Sequence, residues 1–256
     1  MPDAIQFEHR EGGIRLITLN RADALNAITC AMAERLFALF DECERDAEAR
    51  CIIITGAGER AFSAGFDIKE MAAFDADRMH AAFVARDPLP LRIAEHPLPV
   101  IAALNGPALG AGALMAAACD FRVAAPAASF KVTAIGYGSA NASWSLPRLV
   151  GVARAKDMLM TGRAVRADEG LAIGLFDRLA DNALAGALAL AGEIIRHPAS
   201  GVADVKRLVD AAPALTPRQG WQAEHDAMLA GFARQGLGGD SVFSGFLGKK
   251  GSDAAD

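Results

Sequence analysis

The sequence predicts an α/β fold in which strands and helices alternate, followed by a region that is helical throughout. Two short apolar runs, Cys51–Thr55 and Pro99–Leu104, have the length of buried strands, and each is followed by a glycine-containing turn. From Pro147 onward the apolar residues recur at helical spacing, with stops near Gly174 and Pro198. Buried strands followed by helices favour stacked β/α units with parallel strands.

The first elements are a strand, a loop and an amphipathic helix. Ile14–Asn20 alternates and ends in Asn, which predicts a strand of a half-buried sheet. Arg21–Ala27 is predicted to be a loop, and Thr29 is a candidate N-cap for the helix that follows. The apolar positions of that helix recur at helical spacing and predict one buried face: Met32, Leu36, Leu39 and Phe40.

Further strands and a run of helices complete the prediction. A helix is expected to begin near Gly110, and Phe121–Ala124 and Ser129–Val132 are predicted as short strands. The helices of the C-terminal third are predicted at Ala153–Thr161, Ala167–Ile173, Asn182–Arg196, Val202–Ala211 and Pro217–Gln235. Because these long apolar helices would have little to pack on in an isolated monomer, we expect them to meet other subunits.

Composition limits the class of protein. The chain has 256 residues, 52% of them hydrophobic, and a net charge of −5. This length allows one large domain or a domain with an appendage, and the mild charge gives no electrostatic case for nucleic acid or membrane partners. Residues 1–13 lack an apolar signal core and no apolar run is long enough to span a bilayer, which predicts a cytoplasmic protein. No cluster of His, Cys and carboxylate residues has ligand spacing, so no metal is expected.

Two glycine-containing segments at strand-to-helix junctions are the candidate functional segments of the chain. The first is Ala61–Met71 (AFSAGFDIKEM), and the second is Asn105–Gly112 (NGPALGAG). Both place backbone N–H groups near a helix N-terminus, where negative charge is favoured. A single junction of this kind is common and is by itself a structural feature.

Together the two junctions belong to an ordered series of motifs that covers nearly the whole chain. The series is Leu25-Asn26-Ala27, Ile54-Thr55-Gly56, Ser63–Met71, Pro99–Gly106, Gly110–Gly112, Ala118-Cys119-Asp120, Leu146–Gly151, Thr161-Gly162-Arg163, Gly174-Leu175 and Phe246–Lys250. It resembles the crotonase (enoyl-CoA hydratase/isomerase) superfamily, for which such a series is highly specific. The resemblance implies a crotonase-like spiral of ββα units over residues 1–196 and a C-terminal α-helical trimerisation region over residues 197–256. It also implies an acyl-coenzyme A thioester as the substrate, no separate cofactor, and assembly as a homotrimer or hexamer.

The resemblance assigns roles to individual residues. The oxyanion-hole donors would be the backbone N–H groups of Phe66 and Ala111, which stabilise the charge on a thioester oxygen as the α-carbon becomes enolate-like. Lys69 is a candidate phosphate partner, and a solvated helix lysine is an equally good interpretation. The remaining CoA and substrate residues implied are Leu25, Asn26, Ala27, Ala64, Gly65, Asp67, Ile68, Gly110, Leu114, Ala134, Trp144, Phe246, Lys249 and Lys250.

The sequence departs from the hydratases of this family at both water-holding glutamates. Leu114 and Ala134 stand at these positions, and no Asp, Glu or His occurs from Phe121 to Lys156. General acid–base catalysis needs a group that exchanges a proton near the operating pH. We therefore expect ordinary hydratase activity to be absent or very slow.

Three functions stay open at this stage. The first is an acyl-CoA enzyme of the hydratase/isomerase type, a lyase or isomerase of the kind used in fatty acid metabolism. The second is a decarboxylase or hydrolase with the same hole, for which Thr133 and Tyr137 are the candidate catalytic side chains. The third is a protein that binds CoA thioesters without turnover. Asp87 and Glu95 are carboxylates that would reach the site only from elsewhere in the fold.

Overall fold

A computed structural model of the chain describes residues 3–235, and these divide into two compact units at Arg196. The unit up to Arg196 is α/β, and the unit from His197 is helical as far as it is described. The predicted α/β fold with a C-terminal helical region is confirmed. Phe246, Lys249 and Lys250, which were expected at the CoA site, lie outside the described residues.

The strands and helices alternate along the first unit and give way to helices in the second. The strands are β1 (Ile5–Arg10), β2 (Ile14–Leu19), β3 (Cys51–Gly56), β4 (Val100–Leu104), β5 (Ala108–Leu109), β6 (Phe121–Ala124), β7 (Ser129–Lys131), β8 (Val165–Arg166) and β9 (Arg178–Leu179). The α-helices are α1 (Cys30–Arg45), α2 (Ile68–Met71), α3 (Ala76–Arg86), α4 (Leu89–Ala94), α5 (Ala111–Ala118), α6 (Leu146–Val150), α7 (Val152–Thr161), α8 (Ala167–Ala172), α9 (Ala183–Ile195), α10 (Ala199–Ala211) and α11 (Pro217–Gln235).

Two sheets organise the first unit. The larger has the order β1-β2-β3-β4-β6-β9, and the smaller has the order β5-β7-β8. The expectation of parallel strands is correct from β2 to β9 in the larger sheet, but it is wrong for β1, which pairs antiparallel with β2, and for the β7–β8 pair. The polar N-terminal residues form a strand because β1 lies at the edge of the sheet, where only part of each side chain is buried.

Strand β2 is buried along its whole length, so the expectation of a half-buried strand is wrong. The second face of the sheet is covered by α9, whose small and aliphatic residues belong to one buried cluster with Ile14 and Leu16 of β2. Arg15, the charged residue in the strand, is only 3% exposed, and its Nε donates to Asp46 at 2.8 Å. Helix α9 thus finds its packing surface within the same chain, which corrects the expectation for this helix.

Helix α1 begins and packs as its sequence predicts. The Thr29 hydroxyl accepts a hydrogen bond from the Met32 amide at 3.2 Å, which is the N-cap interaction. The four predicted apolar positions are all buried: Met32, Leu36, Leu39 and Phe40. This face lies in the main core, and the core side of the larger sheet packs against it.

The second unit consists of α10 and α11 in its described part, and these helices keep large apolar side chains on their surface. No residue of α10 is buried, and Arg234 of α11 pairs with Asp204 of α10 at 2.7 Å. The exposed apolar side chains are Val205, Val209, Trp221, Met228 and Leu229. None of the helices in residues 3–235 is long and apolar enough to cross a bilayer.

Arg122 at the start of β6 fixes the segment that leads into β9. It is 2% exposed, its Nε donates to the Leu175 carbonyl at 2.6 Å, and its Nη1 donates to the Cys119 carbonyl at 2.7 Å. Its Nη2 pairs with Asp177 at 2.9 Å. Each nitrogen of this buried guanidinium therefore has an acceptor.

We predict that Arg122→Met lowers the free energy of unfolding by about 2–4 kcal/mol, because it leaves the Leu175 and Cys119 carbonyls without their side-chain donor and removes the cation beside Asp177. Urea unfolding of the purified variant measures this. The matched control is Arg178→Met, which breaks an exposed guanidinium–carboxylate pair with Glu193 and should change stability little. Equal losses in both variants would contradict the assignment of Arg122.

Candidate functional site

The two glycine segments predicted from the sequence lie side by side. The Leu109 amide donates to the Ser63 carbonyl at 2.9 Å, so the two backbones run alongside each other. They approach most closely at Gly65, where a Cβ atom would lie 2.9 Å from the Ala111 nitrogen and 2.8 Å from the Leu109 oxygen. Gly65 also has a φ of +90°, so both space and backbone conformation require glycine here.

The N–H of Phe66 points away from Ile28, the residue to which the backbones of Gly65 and Asp67 are hydrogen-bonded. The Ile28 amide donates to the Gly65 carbonyl at 2.8 Å, and the Asp67 amide donates to the Ile28 carbonyl at 2.9 Å. In a parallel pairing of this kind, the amide of the residue between them faces the opposite side. Within residues 3–235, no acceptor receives a hydrogen bond from the Phe66 N–H.

The Ala111 amide lies at the first residue of α5, where helical N–H groups have no intrahelical partner. Gly110 before it has φ 51° and ψ −122°, a conformation that favours glycine. Among the described residues, nothing accepts a hydrogen bond from the Ala111 N–H. A Cβ atom at Gly110 would lie 3.1 Å from the Thr133 hydroxyl oxygen, which places this predicted catalytic side chain beside the start of α5.

Asn26 holds the first junction in shape from within the protein. It is fully buried, with a φ of 55°, and its Oδ1 accepts from the Arg21 amide at 3.0 Å. Its Nδ2 donates to the carbonyls of Ala57 at 3.0 Å and Ala61 at 2.8 Å, and its own carbonyl accepts from the Ser63 hydroxyl at 2.9 Å. The polar atoms of the Asn26 side chain are therefore used to position the loop.

Asp67 is likewise a buried polar residue with partners inside the protein. Its Oδ1 accepts from the amides of Lys69 at 3.0 Å and Glu70 at 3.2 Å, which caps α2, and its Oδ2 pairs with Arg21 at 2.8 Å. Burial raises the pKa of this carboxyl, but the hydrogen bonds from Arg21 and the two amides outweigh it, and the net pKa is lowered. Asp67 is consequently a poor proton acceptor near neutral pH.

The two positions that were predicted to stand in place of the hydratase glutamates differ in their surroundings. Leu114 is the one residue of α5 that is not buried, so the otherwise buried helix is open at this side chain. Ala134 is buried and follows Thr133 directly. Neither residue has an Asp or Glu as its neighbour in the sequence. Asp87 and Glu95, the carboxylates that were considered as replacements, are exposed at the ends of α3 and α4.

The other predicted site residues lie at the surface or along the first junction. Tyr137 is 77% exposed and Trp144 is 45% exposed. Within residues 3–235, neither side chain is joined to the amides of Phe66 and Ala111 by a hydrogen bond or a ring contact. Ile68 is 73% exposed at the start of α2, beside Lys69, which is also exposed. The roles of Tyr137 and Trp144 stay predictions.

Arg86, at the end of α3, is a residue of this region that sequence reasoning missed. Its guanidinium lies 4.1 Å from the centroid of the Phe66 ring, and the residue is only 2% exposed. The sequence offers no signal for it, because an arginine in a helix is usually on the surface and α3 itself was not predicted. Among residues 3–235, no group of three or more His, Cys, Asp or Glu side chains is placed to hold a metal.

Comparison with known proteins gives the family context of this site. A sequence model described as enoyl-CoA hydratase/isomerase matches residues 9–237. The chain is 35% identical to the short-chain-enoyl-CoA hydratase of Clostridium acetobutylicum over 175 residues, 67% of each protein. It is 32% identical to the 1,2-epoxyphenylacetyl-CoA isomerase of Escherichia coli (strain K12) over 249 residues, 93% of this chain and 94% of that protein. The crystal structure of an enoyl-CoA hydratase from Bacillus anthracis is 30% identical and superposes with a TM-score of 0.89, covering 97% of this chain and 96% of that one.

We predict that Asp67→Asn changes how stability depends on pH. Because the folded state lowers the pKa of Asp67, its charge contributes stability that is present above the ordinary Asp pKa of about 3.9 and is lost as pH falls through the folded pKa. The stability difference between the unmutated protein and Asp67→Asn should therefore be constant near neutral pH and shrink in acid.

Urea unfolding at a series of pH values measures this difference. Arg21→Met is the matched variant, because it removes the ion pair but leaves the two amide hydrogen bonds to Asp67 in place. The stability of Arg21→Met should therefore depend on pH less than that of the unmutated protein but more than that of Asp67→Asn. Parallel stability curves for Asp67→Asn and the unmutated protein would contradict the prediction.

Proposed function

We propose that this chain, which belongs to the enoyl-CoA hydratase/isomerase family of acyl-CoA-processing enzymes, stabilises a thioester enolate between the amides of Phe66 and Ala111. The observation that supports this most directly is a pair of N–H groups that have no acceptor within residues 3–235, at two junctions that meet at Gly65. Fixed backbone donors stabilise charge that develops on an oxygen without reorganising during the reaction. The start of α5 adds the favourable end of a helix dipole.

The CoA portion is proposed to lie along the first junction. The Leu25 carbonyl accepts from the Ala64 amide at 2.9 Å, so the loop at 25–27 and the segment at 64–69 are adjacent. Ile68 and Lys69 at the end of this strip offer an exposed apolar side chain and an exposed cation. These suit the pantetheine chain and a phosphate, respectively.

The site is proposed to lack ordinary hydratase activity. Leu114 and Ala134 offer no group that exchanges a proton, and Asp67 is committed to Arg21 and to capping α2. The partly open side of α5 at Leu114 is apolar, which disfavours an ordered water there.

A second candidate is an acyl-CoA decarboxylase. Loss of CO₂ leaves the electron pair on the α-carbon, so the enolate forms without a base, and the Thr133 hydroxyl beside Gly110 is placed to donate a hydrogen bond near the hole. A hydrolase, or a protein that binds CoA thioesters without turnover, is an outcome of the same test. A panel of enoyl-, malonyl- and saturated acyl-CoAs, followed for both binding and product, separates these functions.

We predict that Ala111→Pro abolishes polarisation of a bound thioester carbonyl, while Ala111→Gly preserves it. Proline removes the N–H but is tolerated at the first position of a helix, so α5 should still form. The measurement is the red shift of 2,4-hexadienoyl-CoA absorbance on binding, which reports hydrogen bonds to the conjugated carbonyl. Any turnover should also fall about 10²–10³-fold in Ala111→Pro, as for loss of one oxyanion donor. Equal spectra in both variants would remove Ala111 from the hole.

We predict that the unmutated protein hydrates crotonyl-CoA very slowly or not at all. A positioned acid or base contributes about 10²–10⁴-fold, and both glutamate positions lack one. The rate is measured from the loss of absorbance of the enoyl thioester. The double variant Leu114→Glu/Ala134→Glu is assayed in the same way as the comparison. Turnover at the rate of an ordinary hydratase in the unmutated protein would show that another group supplies the proton.

We further propose that the chain assembles as a homotrimer or hexamer through its second unit, because α10 and α11 expose large apolar side chains, among them Val209 (64%) and Trp221 (61%). Val209→Asp should shift sedimentation toward a monomer, since it places a charge in an apolar contact. Val209→Ile keeps the surface apolar and should leave the assembly unchanged. A stable monomer of the unmutated protein at micromolar concentration would refute this assembly.

A further inference from the structure

Arg86 is a buried cation whose hydrogen-bonding capacity is only partly used. Its Nε donates to the Ala82 carbonyl at 2.9 Å, one turn earlier in α3. Its two terminal nitrogens, Nη1 and Nη2, have no acceptor, and they are the only buried side-chain polar atoms of the described residues in this situation. Burying charged N–H groups without acceptors is unfavourable, so this site is complete only with an added acceptor.

Glu70 is the nearest acidic group, but it does not satisfy the guanidinium. Its Oε2 lies 3.9 Å from Nη1 of Arg86, which is too long for a hydrogen bond, and the same oxygen accepts from the Cys30 amide at 3.0 Å. The pair lowers the electrostatic cost of burying Arg86. It leaves both terminal nitrogens available to a second carboxylate, for which a guanidinium offers two parallel donors.

The position of Arg86 relates it to the proposed hole. Its guanidinium lies 4.1 Å from the ring centroid of Phe66, the residue whose amide is a proposed oxyanion donor. Bond lengths keep that centroid within about 5 Å of the Phe66 nitrogen, so the guanidinium lies within about 9 Å of it. An acyl chain of roughly four to six carbons spans this distance from a thioester carbonyl in the hole.

We propose that Arg86 binds the terminal carboxylate of the acyl group, so that the preferred substrates are CoA thioesters of short dicarboxylic acids. This inference rests on the proposed function, because it needs the thioester carbonyl to lie at the Phe66 and Ala111 amides. Arg86 then acts as a specificity-determining residue at the far end of the acyl group. The methylene carbons of the chain pack against the Phe66 ring.

Phe83 borders the guanidinium together with Phe66. Its ring lies 5.8 Å from Arg86 and 6.3 Å from the Phe66 ring in an edge-on arrangement, and the residue is 45% exposed. Both rings therefore border the proposed carboxylate site at Arg86.

The test compares glutaryl-CoA with pentanoyl-CoA, which has the same number of acyl carbons but ends in a methyl group. Titration calorimetry on the full chain should show that glutaryl-CoA binds about tenfold or more tightly, the effect of a charge-assisted pair of hydrogen bonds. In Arg86→Met this preference should be lost or reversed, while the affinity for pentanoyl-CoA stays the same. Methionine fills a similar volume without a buried charge, so the variant should fold.

Arg78→Met is the matched control, because Arg78 is an exposed arginine of the same helix that stacks over Phe74 at 4.4 Å. It should keep the full preference for glutaryl-CoA. Equal or weaker binding of glutaryl-CoA by the unmutated protein would overturn the inference and leave the proposed function standing. A preference that survives in Arg86→Met would do the same. Failure of every acyl-CoA to bind would overturn both.

Discussion

The close approach of two backbone segments at Gly65 and Ala111 is the constraint on which the site depends. Each segment follows a strand of the larger sheet and leads into a helix, so the parallel strands β3 and β4 bring both junctions to the same edge. A side chain at Gly65 would collide with backbone atoms of the second junction, at 2.8 and 2.9 Å. The N–H groups of Phe66 and Ala111 therefore belong to backbone segments that the sheet brings together.

Buried polar groups within the protein support this arrangement. Asn26 links its loop to the carbonyls of Ala57 and Ala61, and Arg21 links the same loop to Asp67. Groups of this kind are stable in the interior because each has a partner. Arg86 differs from them, since it is also buried but its two terminal nitrogens have no acceptor in the described part of the chain. Asn26 therefore stabilises the fold, whereas we infer that Arg86 is placed to bind a ligand.

Much of the fold could be predicted from local patterns, and less of the site. Helix α1 was predictable because its N-cap Thr29 and its apolar spacing are local signals that the core reinforces. Strand β1 was missed because an edge strand keeps polar residues, and the full burial of β2 was missed because α9, far along the chain, covers its second face. The backbone N–H groups of Phe66 and Ala111 were predicted as donors through the family motifs, and that role stays a prediction. Arg86 was not predicted, because its burial arises from contacts among α3, Phe66 and Glu70 that no sequence spacing records.

A site whose donors belong to the main chain has a consequence for how it varies. Replacing Ala111 by most other amino acids leaves its N–H in place, so conventional alanine scanning is blind to the group that matters most. The side chains near it, among them Leu114 and Thr133, can be exchanged without removing this N–H. If the proposed function holds, the reaction of such a site can change through these neighbouring residues while the backbone donors stay in place.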